Sequence, residues 1–138
     1  MTYKEFTIQY ALGTIDYDTL LNIANSRDPD KKILTILSKN KDSYVRYYVA
    51  NNPDTPIEIL KILSKDKNWG VRYYVANNSN TPIEILEELS KDEYYIVRYY
   101  AARNPYTPIE ILEELSKDKD ANVSYPNTPI KVKKRIKL

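Results

Sequence analysis

Residues 63–88 read LSKDKNWGVRYYVANNSNTPIEILEE, and a closely similar stretch of the same length lies on each side of them. Residues 37–62 agree with this block at 18 of 26 positions, and residues 89–114 also agree with it at 18 of 26. Agreement of this kind at a fixed spacing indicates internal duplication, which is the sequence signature of repeat architectures. The sequence therefore predicts three full repeats of 26 residues.

Weaker copies of the same pattern flank the full repeats. Residues 11–36 keep several of its apolar and Asn positions, and residues 115–138 continue it after a deletion of five residues. We interpret residues 1–36 as an N-terminal cap with a degenerate repeat, and residues 115–138 as a shortened repeat with a basic C-terminal cap. The whole chain, 1–138, is thus predicted to form a single repeat domain.

The first helix of each repeat is predicted around the VRYYVANN sequence. One face of an α-helix is indicated by four residues with the spacing i, i+3, i+4 and i+7, namely Val45, Tyr48, Val49 and Asn52. Asn52 is followed by Pro53, which cannot continue a helix. Because Asn tolerates the left-handed conformation better than most residues, we expect Asn52 to end the helix as a left-handed cap.

A second helix is predicted to follow at the TPIEIL sequence. Thr55, Pro56 and Glu58 have the order of an N-cap, a first helical residue and the third residue of a capping box. The same three residue types recur in both later repeats, which strengthens the prediction. The buried stripe of this helix is expected to consist of Ile57, Ile59, Leu60 and Leu63.

The fold class follows from the length of these helices. Helices of about nine or ten residues are marginally stable alone, so each repeat must be stabilised by its neighbours. A small residue at one position of every copy predicts a close approach of successive helices, and these residues are Ala24, Ala50, Ala76 and Ala102. The sequence thus predicts an all-α solenoid of 26-residue, two-helix repeats.

The stretch VRYYVANNPDTPIEILKILSKD, residues 45–66, resembles the leucine-rich repeat variant family. The elements that carry the resemblance are Val45, Arg46, Val49, Ala50, Asn52, Pro53, Thr55, Pro56, Leu60, Leu63 and Asp66. It covers roughly residues 19–136. The resemblance implies a right-handed superhelix of alternating α and 3₁₀ helices without β-strands, and it ties the chain to no single activity.

The sequence also departs from the family pattern. The period of 26 is longer than is typical of the family, Ser79 stands in place of the Pro, and Ala101 stands in place of the Val. Some members hold an iron-sulfur cluster through cysteines in a segment before the repeats. Because this chain has no Cys, that cofactor does not carry over, and we expect no cofactor.

The composition removes several classes of chemistry. The chain has neither Cys nor His, which excludes disulfides, thiolate metal sites and imidazole acid–base catalysis. The Ser38–Lys39 pair and the adjacent Glu87 and Glu88 fit solvated helix positions better than a catalytic pair. We therefore predict a protein that is not an enzyme and has no catalytic or metal-binding residue.

The expected location follows from the absence of targeting signals. No stretch approaches 18 uncharged apolar residues, and the first ten residues lack the basic and apolar regions of a signal peptide. We therefore expect no membrane association and a cytoplasmic location.

Arg recurs once per repeat in the first helix, at Arg46, Arg72 and Arg98. One interpretation is a row of guanidinium groups that binds phosphates or acidic peptide side chains. The other is that each Arg pairs internally with an acidic or Asn side chain of its own or a neighbouring repeat, candidates being Asp42, Asp66 and Asp92. We favour internal pairing, because the chain before Lys131 has 16 basic against 19 acidic residues.

Tyr occurs twice in every VRYY sequence. On a helical wheel Tyr47 falls about 200° from Val45, so Tyr47, Tyr73 and Tyr99 are expected to be partly exposed, whereas Tyr48, Tyr74 and Tyr100 are expected in the core. The exposed tyrosines could bind a partner, or they could stack on one another between repeats and fill the space there. The sequence leaves these two interpretations open.

These features predict a protein-interaction or scaffold module that binds a protein or peptide on the VRYY helices. The candidate surface consists of Arg46, Tyr47, Asn51, Arg72, Tyr73, Asn77, Arg98, Tyr99 and Arg103. The alternative is a nucleic-acid-binding accessory protein that uses the Arg row together with the basic tail, residues 131–138. The sequence names neither the partner nor the oligomeric state.

Overall fold

The structure, a computed structural model, describes residues 1–124 and Pro126. In this part of the chain all regular elements are α-helices and no strand is present, which confirms the all-α prediction. The helices are α1 (Tyr3–Leu12), α2 (Tyr17–Ala24), α3 (Lys31–Leu37), α4 (Ser43–Asn51), α5 (Ile57–Leu63), α6 (Trp69–Asn77), α7 (Ile83–Leu89), α8 (Tyr95–Arg103), α9 (Ile109–Leu115) and α10 (Ala121–Ser124).

Two kinds of helix alternate through the full repeats. The VRYY helices α4, α6 and α8 have nine residues each, and the short helices α5, α7 and α9 have seven. Both kinds are α-helices, so the alternation with 3₁₀ helices that the family resemblance implies is not seen in the described repeats. Backbone bonds such as Ser64 N–H to the Leu60 carbonyl (2.8 Å) have the i to i−4 spacing of an α-helix.

Equivalent helices of successive repeats lie side by side. Helix α4 contacts α2 and α6, and α8 contacts α6 and α10, so the VRYY helices form one continuous row. Each short helix of the full repeats packs against a VRYY helix, as α5 does with α4 and α6. At the N-terminal end, α1 packs on α3 and buries Phe6 completely.

The hydrophobic core lies between the row of VRYY helices and the short helices. Its fully or almost fully buried residues include Val45, Val49, Leu60, Leu63, Val71, Val75, Leu86, Leu89 and Val97. Burying one Val or Leu side chain stabilises a fold by about 1.5–3 kcal/mol. These residues repeat at a spacing of 26, so the core extends from repeat to repeat.

The predicted buried stripe of the short helices is correct at three positions and wrong at Ile57. Ile59, Leu60 and Leu63 are buried, whereas the side chain of Ile57 is 52% exposed and that of Ile83 is 50% exposed. Ile57 precedes Ile59 by two residues, or about 200° around α5, so it faces away from the core.

The predicted left-handed cap at Asn52 is also wrong. Asn52 has extended backbone angles (φ −68°, ψ 121°), and the one non-glycine residue with positive φ among the described residues is Asp28. The extended backbone at Asn52 turns its side chain inward, where it is fully buried and bonds to the preceding repeat.

The capping box predicted at Thr55 and Glu58 does not form. The N-cap of α5 is Pro56, and no side chain caps its amides. The Thr55 hydroxyl instead donates to the carbonyl of Val49 in the preceding helix (2.6 Å), and Thr81 does the same to Val75 (2.6 Å). The Thr of each repeat thus closes the turn between its two helices.

The predicted C-terminal cap is described only in part. Helix α10 packs against α8 and buries Val123. The basic tail, residues 131–138, lies outside the described residues.

Candidate partner-binding surface

The three Arg residues of the candidate surface are buried within the fold. Arg46, Arg72 and Arg98 are only 6%, 9% and 6% exposed. Each guanidinium pairs with an Asp twenty residues further along: Arg46 with Asp66 (2.7 Å), Arg72 with Asp92 (2.6 Å) and Arg98 with Asp118 (2.7 Å). In every pair Nε and Nη2 each donate to one carboxylate oxygen, which is the bidentate arrangement.

These ion pairs link successive repeats into one network. The Nη1 group of Arg72 donates to the backbone carbonyl of Asp66 (2.8 Å), whose carboxylate is held by Arg46. Arg98 donates to the carbonyl of Asp92 in the same way (2.8 Å). Internal pairing, the interpretation favoured above, is therefore the arrangement in the structure. Asp42, the third candidate, instead caps α4 through the Tyr44 amide.

The pairing changes the acidity of its members. The pKa of Asp118 is held below its usual value: burial acts to raise it, but hydrogen bonds from Arg98 and from the Asp120 backbone amide, together with the positive charges of Arg98 and Lys119, outweigh burial. The hydrogen bond to Asp118 raises the pKa of Arg98, and that to Asp92 raises the pKa of Arg72. Arg98 and Asp118 therefore both carry full charge at neutral pH.

The network of ion pairs ends where the equivalent positions of the flanking repeats carry uncharged residues. Leu20 stands one repeat before Arg46, and Asn40 stands one repeat before Asp66. The Asn40 amide donates to the Tyr10 hydroxyl (2.6 Å), so α1 supplies a neutral partner there. At the other end, Ser124 occupies the position one repeat after Arg98. No unmatched Arg or Asp is thereby left at either end of the row.

A second buried row consists of Asn52, Asn78 and Asn104. The Asn78 amide donates to the carbonyls of Ala50 (2.7 Å) and Asn52 (2.9 Å) in the preceding repeat. Its side-chain oxygen accepts a hydrogen bond from the backbone N–H of Asn80 (2.9 Å). The short distance from Asn78 to Ala50 requires the close approach that the row of Ala residues predicts, and Ala24, Ala50, Ala76 and Ala102 are all buried.

The tyrosines of the VRYY helices lie on the outer side of the same row. Tyr47, Tyr73 and Tyr99 are half-buried, as predicted. Of the three tyrosines expected in the core, Tyr74 and Tyr100 pack against it and Tyr48 does not. Tyr48 is 37% exposed, and the other two are half-buried. Val45 and Val49 fill the core side of the helix, which leaves Tyr48 at its edge.

The tyrosine rings form one continuous series across the three helices. Tyr44 contacts Tyr47, which contacts Tyr74 of the next helix at 5.6 Å between ring centroids. The series continues through Tyr73, Tyr100 and Tyr99, with neighbouring centroids 4.4–5.2 Å apart. Burial and a hydrogen bond with Tyr100 raise the pKa of Tyr73. The tyrosines thus do stack between repeats, and their outer edges remain accessible.

A groove opens in this surface between α4 and α6. It has a volume of about 310 Å³ and is lined by Tyr44, Tyr47, Tyr48, Asn51 and Tyr74. The Tyr47 hydroxyl at its wall donates to the side-chain oxygen of Asn68 (3.0 Å), which fixes the ring. The groove therefore combines flat aromatic walls with the amide of Asn51 at its edge.

The outer polar residues of the candidate set are Asn51, Asn77 and Arg103, and all three are exposed. They lie one position before the buried Asn row and occupy equivalent places in successive repeats. We call the surface formed by the six VRYY tyrosines, Tyr44 and these three residues the tyrosine face. Of the nine predicted site residues, six lie on it and the three buried Arg residues do not.

Charge is distributed unevenly between the two kinds of helix. The VRYY helices contain no Asp, Glu or Lys. Helices α7 and α9 contain no basic residue and carry six exposed glutamates, namely Glu84, Glu87, Glu88, Glu110, Glu113 and Glu114. The tyrosine face is thus free of carboxylates from its own helices, whereas the short helices α7 and α9 carry an acidic surface.

Further exposed aromatic residues lie at the starts of the VRYY helices and escaped the sequence analysis. Trp69 stacks on Tyr94 at 6.1 Å, and the guanidinium of Arg72 lies 5.6 Å from the Tyr94 ring centroid. Trp69, Tyr94 and Tyr95 are 43–45% exposed. They occupy positions that vary between repeats, so the repeat pattern gave no signal for them.

Other candidate chemistry is not assembled in the described part of the chain. The Ser38 hydroxyl donates to the Thr35 carbonyl (2.7 Å) rather than to Lys39, and Glu87 lies beside Lys91 (3.9 Å). Within residues 1–124, no group of three or more Asp or Glu side chains is placed to hold a metal ion. None of the described helices is long and apolar enough to cross a membrane.

Comparisons with known proteins give no match. No protein-family model matches the sequence, and neither a curated protein nor a solved structure matches the chain significantly. Membership of the leucine-rich repeat variant family therefore stays a prediction.

Proposed function

We propose that this chain is a non-enzymatic interaction module that binds a protein or peptide segment on the tyrosine face. The observation that carries the proposal is the continuous series of accessible tyrosine rings across α4, α6 and α8, with an open groove of about 310 Å³ beside Asn51.

Tyrosine suits this role for physical reasons. A Tyr side chain offers a large apolar ring and a hydroxyl, and ordering it costs little conformational entropy. Tyr and Arg supply much of the binding energy of protein interfaces, whereas Glu and Lys are depleted there. The VRYY helices show this bias, because they lack Asp, Glu and Lys.

We further propose that the repeats form a right-handed superhelical solenoid related to the leucine-rich repeat variants. The side-by-side packing of α2, α4, α6, α8 and α10 supports this architecture, as does the 26-residue spacing of the core. In such an arrangement each repeat contributes one set of outward side chains to a shared surface.

The nucleic-acid alternative is less well supported by the geometry. Binding phosphates with Arg46, Arg72 and Arg98 would require each guanidinium to leave a carboxylate that it holds bidentately. The glutamates of α7 and α9 would also repel a polyanion. The basic tail, which this alternative also uses, lies outside the described residues.

The proposal is tested by selecting peptides from a random display library on the full chain and measuring their affinities. We expect selected peptides to lose at least tenfold in affinity for the Tyr73→Ala variant, because Tyr73 lies in the middle of the ring series. Tyr106→Ala is the matched control, since Tyr106 is 62% exposed and makes none of these ring contacts. Circular dichroism checks that both variants fold.

Three results would contradict the proposal. One is a failure to select any peptide, and another is an equal loss of affinity in the two variants. The third is binding of single-stranded RNA that falls steeply between about 50 mM and 200 mM salt, because phosphate contacts release counterions.

A further inference from the structure

The outer polar row of the tyrosine face changes its chemistry at its last member. Asn51 and Asn77 carry neutral amides, whereas the equivalent residue of the third repeat is Arg103. The face is therefore not uniform along its length. It offers neutral amides over α4 and α6 and a cation over α8.

The Arg103 guanidinium is held in place but has no acidic partner in the described part of the chain. Its Nη1 group donates to the Tyr99 hydroxyl at 3.2 Å, and its central carbon lies 5.5 Å from the centroid of the Tyr99 ring. No described carboxylate lies within ion-pair distance of it. A cation held over a ring is partly preorganised, and its remaining N–H groups can receive an acceptor.

The contrast with the other VRYY arginines makes this position informative. Arg46, Arg72 and Arg98 each hold an Asp bidentately and are at most 9% exposed. Arg103 is exposed, and its own helix contains no carboxylate. It is thus the VRYY-helix guanidinium that remains available for an external carboxylate, which a planar, forked donor group binds well.

We infer that the bound partner is an acidic peptide segment in extended conformation, with an Asp or Glu side chain on Arg103 and an uncharged part over α4 and α6. This inference depends on the proposed function, because it assigns chemistry to the partner of the same face. Charge complementarity carries it: the face presents one free cation at one end and no carboxylate from its helices.

The repeat spacing sets the length of this segment. Packed helices lie about 8–10 Å apart, so Asn51 and Arg103 are separated by roughly 16–20 Å across two helix spacings. An extended chain advances about 3.3 Å per residue. The acidic side chain is therefore expected about five or six residues from the peptide group that contacts Asn51, with the amide of Asn77 between them.

The inference is tested by charge reversal at Arg103 in the full chain. Random peptides of about twelve residues are displayed and selected separately on the wild type and on Arg103→Glu. We expect wild-type selections to be enriched in Asp or Glu near one end, and selections on Arg103→Glu to be enriched in Lys or Arg there. A selected acidic peptide should bind Arg103→Glu at least tenfold more weakly, and its Asp→Lys or Glu→Lys version should regain affinity for the variant.

Arg27→Glu is the matched control, because Arg27 is exposed and lies after α2, away from α8. It should leave the selected sequences and their affinities unchanged. If peptides lose affinity for Tyr73→Ala but show no acidic preference and ignore Arg103→Glu, the inference is wrong and the proposed function stands. If no peptide is selected, or the chain binds only its own copies in light scattering, both are wrong.

Discussion

Neighbouring residues on the VRYY helices belong to two regions with opposite surroundings. Arg46 and Asn52 point inward, are buried and have bonded side-chain donors, whereas Tyr47 and Asn51 lie on the tyrosine face. Consecutive residues on a helix differ in direction by 100°, which separates Arg46 from Tyr47. Asn52 follows the last residue of α4, and its extended backbone turns its side chain away from that of Asn51. The inner polar rows therefore determine how repeats join, and the outer residues determine what the repeats present to a partner.

The largest effect on stability is expected at the buried ion pairs. Asp66→Ala leaves Arg46 buried without its carboxylate, which typically costs about 3–5 kcal/mol. Arg72 donates to the backbone carbonyl of Asp66, and this bond is kept when the side chain is removed. We therefore expect a loss near the low end of this range. Urea unfolding followed by circular dichroism measures the change in the free energy of unfolding.

Glu87→Ala is the control for that experiment. Glu87 lies 3.9 Å from Lys91 on the surface, and exposed pairs of this kind contribute roughly 0–1 kcal/mol. Similar losses in the two variants would show that the inner pairs contribute no more than surface charges, contrary to the comparison.

The next effect distinguishes two adjacent residues of the same type. Asn78→Ala removes the side-chain donors to the Ala50 and Asn52 carbonyls and the acceptor for the Asn80 backbone N–H. We expect the free energy of unfolding to fall by about 2 kcal/mol. Asn77→Ala changes an exposed side chain and should stay within about 0.5 kcal/mol. Chemical denaturation of the two variants in parallel measures this difference in stability. Equal unfolding midpoints would contradict the expectation that Asn78 contributes more than Asn77.

The sequence was sufficient to predict the repeat, the alternation of two helices and most of the core. These features depend on local spacing, because apolar residues at i, i+3 and i+4 must share a face. Val45, Val49, Leu60 and Leu63 are accordingly buried as predicted. Ile57 was assigned wrongly because residues i and i+2 of a helix lie about 200° apart, so Ile57 and Ile59 do not share the buried face.

The polar rows could be predicted only in part. Pairing of Arg46 with Asp66 was one of the alternatives, because both residues recur at a spacing of 26. The role of Asn52 was missed, since an Asn before a Pro also fits a left-handed cap and only the packed neighbour offers the Ala24 carbonyl. A contact across repeats depends on how the helices stack, which local residue preferences do not specify.

The tyrosine face shows the same limit. The helical wheel correctly gave the partial exposure of Tyr47 but placed Tyr48 in the core. The ring contact from Tyr47 to Tyr74 joins two helices, so one helix considered alone cannot reveal it.

A smaller effect is expected at the turn between the helices of a repeat. Thr81→Val removes the hydroxyl that donates to the Val75 carbonyl and keeps the side-chain shape, so we expect a loss of about 1 kcal/mol. Glu84→Ala should change the free energy of unfolding by only about 0.3 kcal/mol, because Glu84 lies in the first turn of α7 without completing a capping box. Thermal and urea unfolding of both variants measure this difference, and a loss near 1 kcal/mol in Glu84→Ala would restore the capping-box prediction.

The smallest effect on stability, with a clear effect on binding, is expected at Gly70. A methyl group there would lie 2.9 Å from the Tyr47 hydroxyl oxygen and 3.0 Å from the ring carbon that bears it, so the ring must move. Replacing Gly with Ala contributes about 1 kcal/mol of stability in a helix interior and less at Gly70, the second residue of α6, so this gain partly offsets the cost of moving the ring. The free energy of unfolding should therefore change by less than about 1 kcal/mol, while the groove wall and the Tyr47–Asn68 bond are disturbed.

Gly13→Ala is expected to give the reverse result, a loss of stability without a loss of binding. Gly13 ends α1 at φ +66° with open space around it, so Ala should lower stability by about 1 kcal/mol through backbone strain and leave the groove intact. Peptides selected on the wild type should bind Gly70→Ala several-fold more weakly and Gly13→Ala normally. Unchanged binding to Gly70→Ala would mean that the position of the Tyr47 ring does not matter to the partner. Gly13→Ala is expected to lose stability and keep its affinity, whereas Gly70→Ala is expected to keep its stability and lose affinity. A loss of binding in Gly70→Ala therefore cannot be attributed to unfolding.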